Sequence, residues 1–166
     1  MGAMMISEPY LDEIRARWEA VRDIAIEIAS NSGGHAKVLA RHGASQVELR
    51  VTRDEEPAGD GDVIFIGHAF SDIPRLLGAL ESGSLLSAED AAGIGSRLAS
   101  ASPGPWTAFI ESDGGIGGCD VIRVSESDSE ADMYLWMGPD LAPSEIFRFV
   151  AGTRQDVPAP LAAARQ

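Results

Sequence analysis

Two stretches of this chain say the same thing. Phe65-Ile66-Gly67-His68-Ala69-Phe70-Ser71-Asp72-Ile73-Pro74-Arg75-Leu76-Leu77 and Phe149-Val150-Ala151-Gly152-Thr153-Arg154-Gln155-Asp156-Val157-Pro158-Ala159-Pro160-Leu161 both read F-[IV]-x5-D-[IV]-P-x2-L. Internal repetition constrains architecture before any single element does, because each copy must find a similar packing environment. Other matches fall in the same order. Ile14 and Arg17 correspond to Ile94 and Arg97, and Asn31-Ser32-Gly33-Gly34 corresponds to Ser112-Asp113-Gly114-Gly115.

The phrase has a local physical sense. An apolar helical run stops at Asp72 or Asp156, whose carboxylate accepts from the free N–H groups of a new helix, and Pro74 or Pro158 sits in the first turn, where no donor is needed. Each phrase is therefore expected to be a helix, a corner and a second helix. Phe65 and Phe149, with Trp18 and Trp106, are the expected buried anchors, while Asp72, Pro74, Asp156 and Pro158 are the expected structural residues of the corners.

The remaining periodicities fill in each copy. Ser7 precedes Pro9, and Leu11, Ile14, Trp18 and Val21 recur on one helical face. Ile24 to Ser30 reads as a strand, followed by a Gly33-Gly34 turn and strands over Lys37 to His42 and Gln46 to Arg53. The second of these alternates Val47, Leu49 and Val51 with Glu48 and Arg50, as in a sheet with one wet face. Asp54 to Asp62 is a polar loop in which Asp60 or Asp62 caps the helix containing Val63, Ile66 and Phe70. That helix turns at Asp72 and continues to about Glu81.

In the second copy, Ser87-Ala88-Glu89-Asp90 reads as a capping box before Ala91, Ile94 and Leu98. Strands are expected near Trp106 to Ser112, Cys119 to Ser125 and Asp132 to Met137, then a helix from Ala142 to Gly152. Pro160 requires the last helix to be short or to start late. The expected fold class is α+β: two tandem α-β-β-β-α-α repeats forming antiparallel sheet covered by helices about a pseudo-two-fold. Residues 7–83 make repeat one and 84–166 repeat two, packed as one globular unit. Residues 1–6 are expected to be a disordered start, in which Met1-Gly2-Ala3-Met4 looks like a cloning remnant ahead of Met5.

Ser102-Pro103-Gly104-Pro105-Trp106-Thr107-Ala108, with Phe149-Val150-Ala151 and Arg154-Gln155-Asp156-Val157-Pro158 further on, resembles a broad group of small uncharacterised proteins of actinomycetes and their phages. These carry a PGPW element and a closing F-I-A-x-A-R-x-D-[IV]-P-x-L-L element. The resemblance covers nearly all of copy two and the end of copy one, which lacks PGPW. The group has no known activity, so the resemblance implies no functional residues, and the tandem arrangement departs from its single-unit members.

Chemistry must come from the residues themselves. His35, His42 and His68 lack the paired spacing of a zinc site, Cys119 is the lone cysteine, and Gly114-Gly115-Ile116-Gly117-Gly118 lacks the G-K-[ST] ending of a phosphate loop and reads as a hairpin tip. The acidic stretches do not fit the twelve-residue calcium loop. No catalytic set, metal or cofactor is therefore expected. A formal net charge of −13 with scattered Lys and Arg argues against nucleic acid. No apolar run reaches the ~20 residues of a bilayer span, so membrane association is not expected and the cytoplasm is the expected location.

Two functional readings remain open. The favoured one is a non-enzymatic acidic protein-binding module, an immunity or inhibitor protein against a basic toxin or nuclease, binding through Asp54, Glu55, Glu56, Asp60 and Asp62 and through Glu126, Asp128, Glu130 and Asp132. The other is an enzyme or small-ligand-binding protein with a cleft between the repeats.

Overall fold

The computed structural model of the protein describes residues 6–30, 33–111, 119–125 and 131–165. Helix α1 (Glu8–Glu19) leads into strands β1 (Ala25–Ser30), β2 (Ala36–His42), β3 (Ser45–Arg53) and the two-residue β4 (Glu56–Pro57). Helices α2 (Asp60–Ser82) and α3 (Ala88–Ser100) follow, then strands β5 (Thr107–Phe109), β6 (Val121–Arg123), β7 (Met133–Met137) and the short β8 (Asp140–Leu141). Helices α4 (Ser144–Asp156) and α5 (Pro158–Ala164) close the described chain. The fold is α+β, and every strand pair in its open sheet is antiparallel. The main path is β1-β2-β3-β7-β6-β5, with β4 added to β3 and β8 to β7.

Alternation along the strands decides which face is covered. Val38, Ala40, Leu49, Val51, Ile122, Met133 and Leu135 are buried on one face, while Arg41, Glu48, Arg50 and Arg123 are exposed on the other. The helices lie on the buried face: α2 packs against β1 and β2, and α4 against β5 and β6. Gly67 lets α2 come this close. A Cβ there would stand 2.9 Å from both Ile28 Cγ1 and Val38 Cγ2, nearer than side-chain atoms pack.

The strands expected from the sequence form close to their expected places, but the corner does not. α2 runs unbroken from Asp60 to Ser82 with Pro74 inside it and Asp72 in mid-helix, so Asp72 caps nothing. A proline in a helix interior costs ~3 kcal/mol, yet twelve α2 residues are buried, among them Phe70, Ile73, Leu76 and Leu77. Burying side chains of that kind is worth about 1.5–3 kcal/mol each, and bending the helix at Pro74 would forfeit several of them. Packing therefore outweighs the proline.

The second phrase is corrected in the same direction. α4 ends at Asp156 and α5 begins at Pro158, but Val157 between them keeps helical angles (φ −75°, ψ −45°), and the N–H groups of Val157 and Leu161 donate to the Thr153 and Val157 carbonyls at 3.0 Å. Asp156 makes no cap for α5. α5 is short, with Pro158 and Pro160 both in its first turn, where missing donors cost little.

At α2 the expected caps are also displaced. Gly59 occupies the N-cap, with Asp60 and Asp62 in the first turn. Ser87 does cap α3, its Oγ accepting from the Asp90 N–H at 3.0 Å. α2 is also 23 residues long and, by length and mean hydropathy of 1.3, apolar enough to cross a bilayer. Its apolar surface here faces the sheet and the other helices.

Gly67→Ala tests the helix–sheet contact. Overpacking costs ~1–3 kcal/mol and the gain in helix propensity returns ~1 kcal/mol, so a net loss is expected, seen as a lower denaturant midpoint. An unchanged or higher midpoint would show that Ile28 and Val38 yield freely.

Candidate functional site

The central β3–β7 pairing brings distant acidic residues together. Its register places Arg53 opposite Met133, and just beyond it the Asp54 N–H donates to the Asp132 carbonyl at 2.9 Å, while Arg53 Nε donates to the Ala131 carbonyl at 2.8 Å. Asp54 adopts φ +54°, a left-handed conformation that Asp tolerates, so the chain reverses tightly into β4. Asp54, Glu55, Glu56 and Asp60 are exposed at this end of the sheet and Asp132 is half-buried beside them. Burial raises the Tyr134 phenol pKa, and the negative charges of Asp132 and Asp54 add to the rise.

Two of the expected binding groups fall out of this set in different ways. Asp62 is 5% exposed and is a structural carboxylate: Oδ1 accepts from the Ser102 N–H at 2.6 Å and Oδ2 from Ser102 Oγ at 2.8 Å, with Arg53 Nη1 at 3.5 Å. A charge so enclosed is unavailable to a partner. Glu126, Asp128 and Glu130 lie outside the described residues, as does the expected hairpin tip at 114–118.

The aspartates of the repeated phrase turn out to be ion-pair acceptors. Arg17 on α1 grips Asp156, with Nη2 at 2.9 Å from Oδ1 and 2.8 Å from Oδ2 and Nε at 3.2 Å from Oδ2. Arg97 on α3 grips Asp72 in the same way, at 2.8, 3.0 and 3.2 Å. Both carboxylates are buried, at 3% and 2% exposure, so neither charge is tolerable without its partner. Gly152 leaves room for the first pair, since a Cβ there would meet Arg17 Nε at 2.6 Å.

Tyr10 completes the first pair by donating to Asp156 Oδ1 at 3.0 Å. Burial raises the Asp156 carboxyl pKa, and the bonds from Arg17 and Tyr10 offset only part of that rise. The Tyr10 phenol is pushed up to about 12 by burial and by the Asp156 charge.

The PGPW element and the closing element bind each other. Arg154 Nε donates to the Ser102 carbonyl at 3.1 Å, and Gln155 Nε2 donates to the Trp106 carbonyl at 2.6 Å. The Trp106 ring stands edge-on to Phe65, centroids 5.7 Å apart, and Phe149 packs on Trp18 and Phe70 at 5.9 and 4.8 Å. Trp18 is half-buried, while Phe65, Trp106 and Phe149 are buried. These motif residues hold the fold.

Among the described residues no group of three or more His, Cys, Asp or Glu is arranged to hold a metal. His68 sits half-buried beside Arg97, and burial together with that charge lowers its pKa. A cavity of about 630 Å³ opens elsewhere, lined wholly by residues between His35 and Val63 and therefore inside the first segment. Comparison with protein-family models, curated proteins and solved structures finds no match for the chain.

Two outcomes follow from the ion pairs. Asp72→Ala leaves the Arg97 guanidinium without its carboxylate and should cost about 3 kcal/mol, well above the ~1 kcal/mol of a lost cap; a denaturant-midpoint loss of only cap size would refute the pairing. Tyr10 has its pKa raised on folding, so its stabilising contribution is complete below its ordinary value of 10.0 and is lost as pH rises through about 12. Alkaline unfolding of the wild type should show that loss, and Tyr10→Phe should remove this part of the pH dependence.

Proposed function

We propose that the protein is a non-enzymatic, acidic protein-binding module of the cytoplasm, an immunity or inhibitor protein that covers a basic toxin or nuclease. The observation that carries this reading is the exposure of Asp54, Glu55, Glu56 and Asp60 at one end of the sheet, with Asp132 brought beside Asp54 by the β3–β7 pairing. A concentrated negative patch raises the encounter rate with a positively charged partner and disfavours acidic ones. The net charge of −13 reinforces it at long range.

The scaffold is proposed to be two tandem α-β-β-β-α-α repeats related by an approximate two-fold. The strand order β1-β2-β3-β7-β6-β5 runs inward through one copy and outward through the other, which supports this. So do the two Arg–Asp pairs, each joining an arginine of one segment to the phrase aspartate of the other with matching distances. Such reciprocal pairing ties the copies together.

The test is capture of a basic protein from source-cell lysate at low and high salt, followed by association kinetics. Exposed charges are screened over ~8–10 Å at ~0.1–0.15 M ionic strength, so association should slow as salt rises. Changing Asp54, Glu55 and Glu56 together to Lys should slow it ~10-fold or more, with a smaller effect on dissociation. Association indifferent to both salt and these substitutions would overturn the reading.

A further inference from the structure

The main path of the sheet ends at two unequal edges. β5 is three residues long and follows Pro103 and Pro105, and the segment leading into it is tied to α4 by the Gln155 bond to the Trp106 carbonyl at 2.6 Å. A short strand behind prolines offers little to another chain. β1 is six residues long, Ala25-Ile26-Glu27-Ile28-Ala29-Ser30, and pairs with β2 without a break from Ala25↔Arg41 to Ser30↔Ala36. It carries no proline, lysine or bulge, and among the described residues no strand lies on its other side. Its outward N–H and C=O groups are a template for a further strand.

The register sorts the side chains of β1 onto two faces. Ile26 and Ile28 lie opposite Ala40 and Val38, which are buried, so they belong to the face covered by the helices. Ile24 joins them by alternation, and all three stay half-buried at the edge. Ala25 and Glu27 lie opposite Arg41 and Leu39 on the uncovered face. There Glu27 and Arg41 are exposed, and among the described residues neither is in an ion pair. A hollow of about 120 Å³ adjoins Ala25, Glu27, Leu39, Arg41 and Gln46 on this face.

We propose that β1 pairs antiparallel with β1 of a second copy of this chain, about a two-fold axis at Ile26, so that two sheets become one. Like charges rule out the register centred on Glu27, which would set two carboxylates face to face. A centre at Ile28 would set Ile26 against Ser30 and cover less apolar surface. With Ile26 at the axis, Glu27 faces Ala25 of the second copy, and behind that small residue stands Arg41 of the second copy, whose long side chain reaches over the methyl group to the carboxylate. The two Glu27 side chains are then only diagonal neighbours, ~7–8 Å apart, each beside an arginine. On the covered face Ile26 meets its own counterpart and Ile24 meets Ile28, which removes their remaining apolar surface from water.

A second copy fits this edge because the charges and isoleucines of β1 complement themselves under one two-fold operation. The contact uses none of the exposed acids of the 54–56 turn, so it stands or falls separately from the proposed partner surface.

The test is sedimentation velocity of the full chain over ~1–300 µM. The salt is held at ~0.15 M, where the long-range repulsion between copies is screened over ~8 Å. One strand pair is a small interface, so a reversible dimer is expected, dissociating on the order of 10 µM. The β1 amides not bonded to β2 should exchange with deuterium about fivefold or more slowly at the top of that range than at the bottom. Glu27→Lys and Arg41→Glu, both at exposed positions, should each raise the dissociation constant ~10-fold, because the two-fold repeats the changed contact twice. The chain carrying both substitutions should return to within about threefold of the wild type. Denaturant midpoints for each variant separate lost pairing from lost folding. A chain that stays monomeric throughout, β1 amides indifferent to concentration, or a double variant as weak as the single ones would overturn the proposal.

Discussion

The structure depends on the pairing of β3 with β7. Five residue pairs, from Leu49↔Met137 to Arg53↔Met133, join strands about eighty positions apart and turn two three-stranded pieces into one sheet. Either piece alone would leave a long unpaired edge in its middle, a template for aggregation. Joined, the strands bury Leu49, Val51, Met133 and Leu135 in one continuous core. The same register sets the surface on both sides of the seam. It places Asp54 beside Asp132 and aligns Arg50, Trp136 and Thr52 on the uncovered face.

The buried Arg–Asp pairs act one layer away, among the helices. Each links an N-terminal helix of one segment to the phrase helix of the other: α1 to α4 through Arg17 and Asp156, and α3 to α2 through Arg97 and Asp72. A buried pair of this kind is weak evidence for added stability, because desolvation offsets most of the attraction. Its effect is on choice of arrangement, since any other helix packing would strand a buried carboxylate. Registration of the helical layer over the sheet is thus enforced by a penalty against alternatives.

Charge on this molecule is sorted by place. Asp54, Glu55, Glu56, Asp60 and Asp132 lie at one end of the sheet, while Arg50 on the uncovered face packs its guanidinium over the Trp136 ring. The chain-wide charge of −13 describes the far field only. Within a Debye length, nearby groups dominate.

Much of the secondary structure was legible in the residues, because strand alternation at Val47, Leu49 and Val51 and helical spacing at Leu11 and Ile14 are local signals that burial reinforces. The repeated phrase was legible too, and so was the correspondence of Arg17 with Arg97 and of Asp72 with Asp156. What the phrase aspartates do was not. Local chemistry makes Asp before Pro a cap, and only the arrival of an arginine from another segment makes it an ion-pair acceptor. Pro74 was misread for the same reason: its cost is local, while the burial that overrides it is spread along the whole of α2. Asp62 passed for a surface acid until Ser102, forty positions away, supplied its hydrogen bonds. Sequence by itself determined the approximate places of the main strands, the apolar faces of α1 and β3 and the net charge, since these depend on neighbours along the chain. Tertiary structure alone decided which charges are buried, which are gathered and where the sheet parts to leave a cavity, because partners across space set the free energy of a charge or a gap.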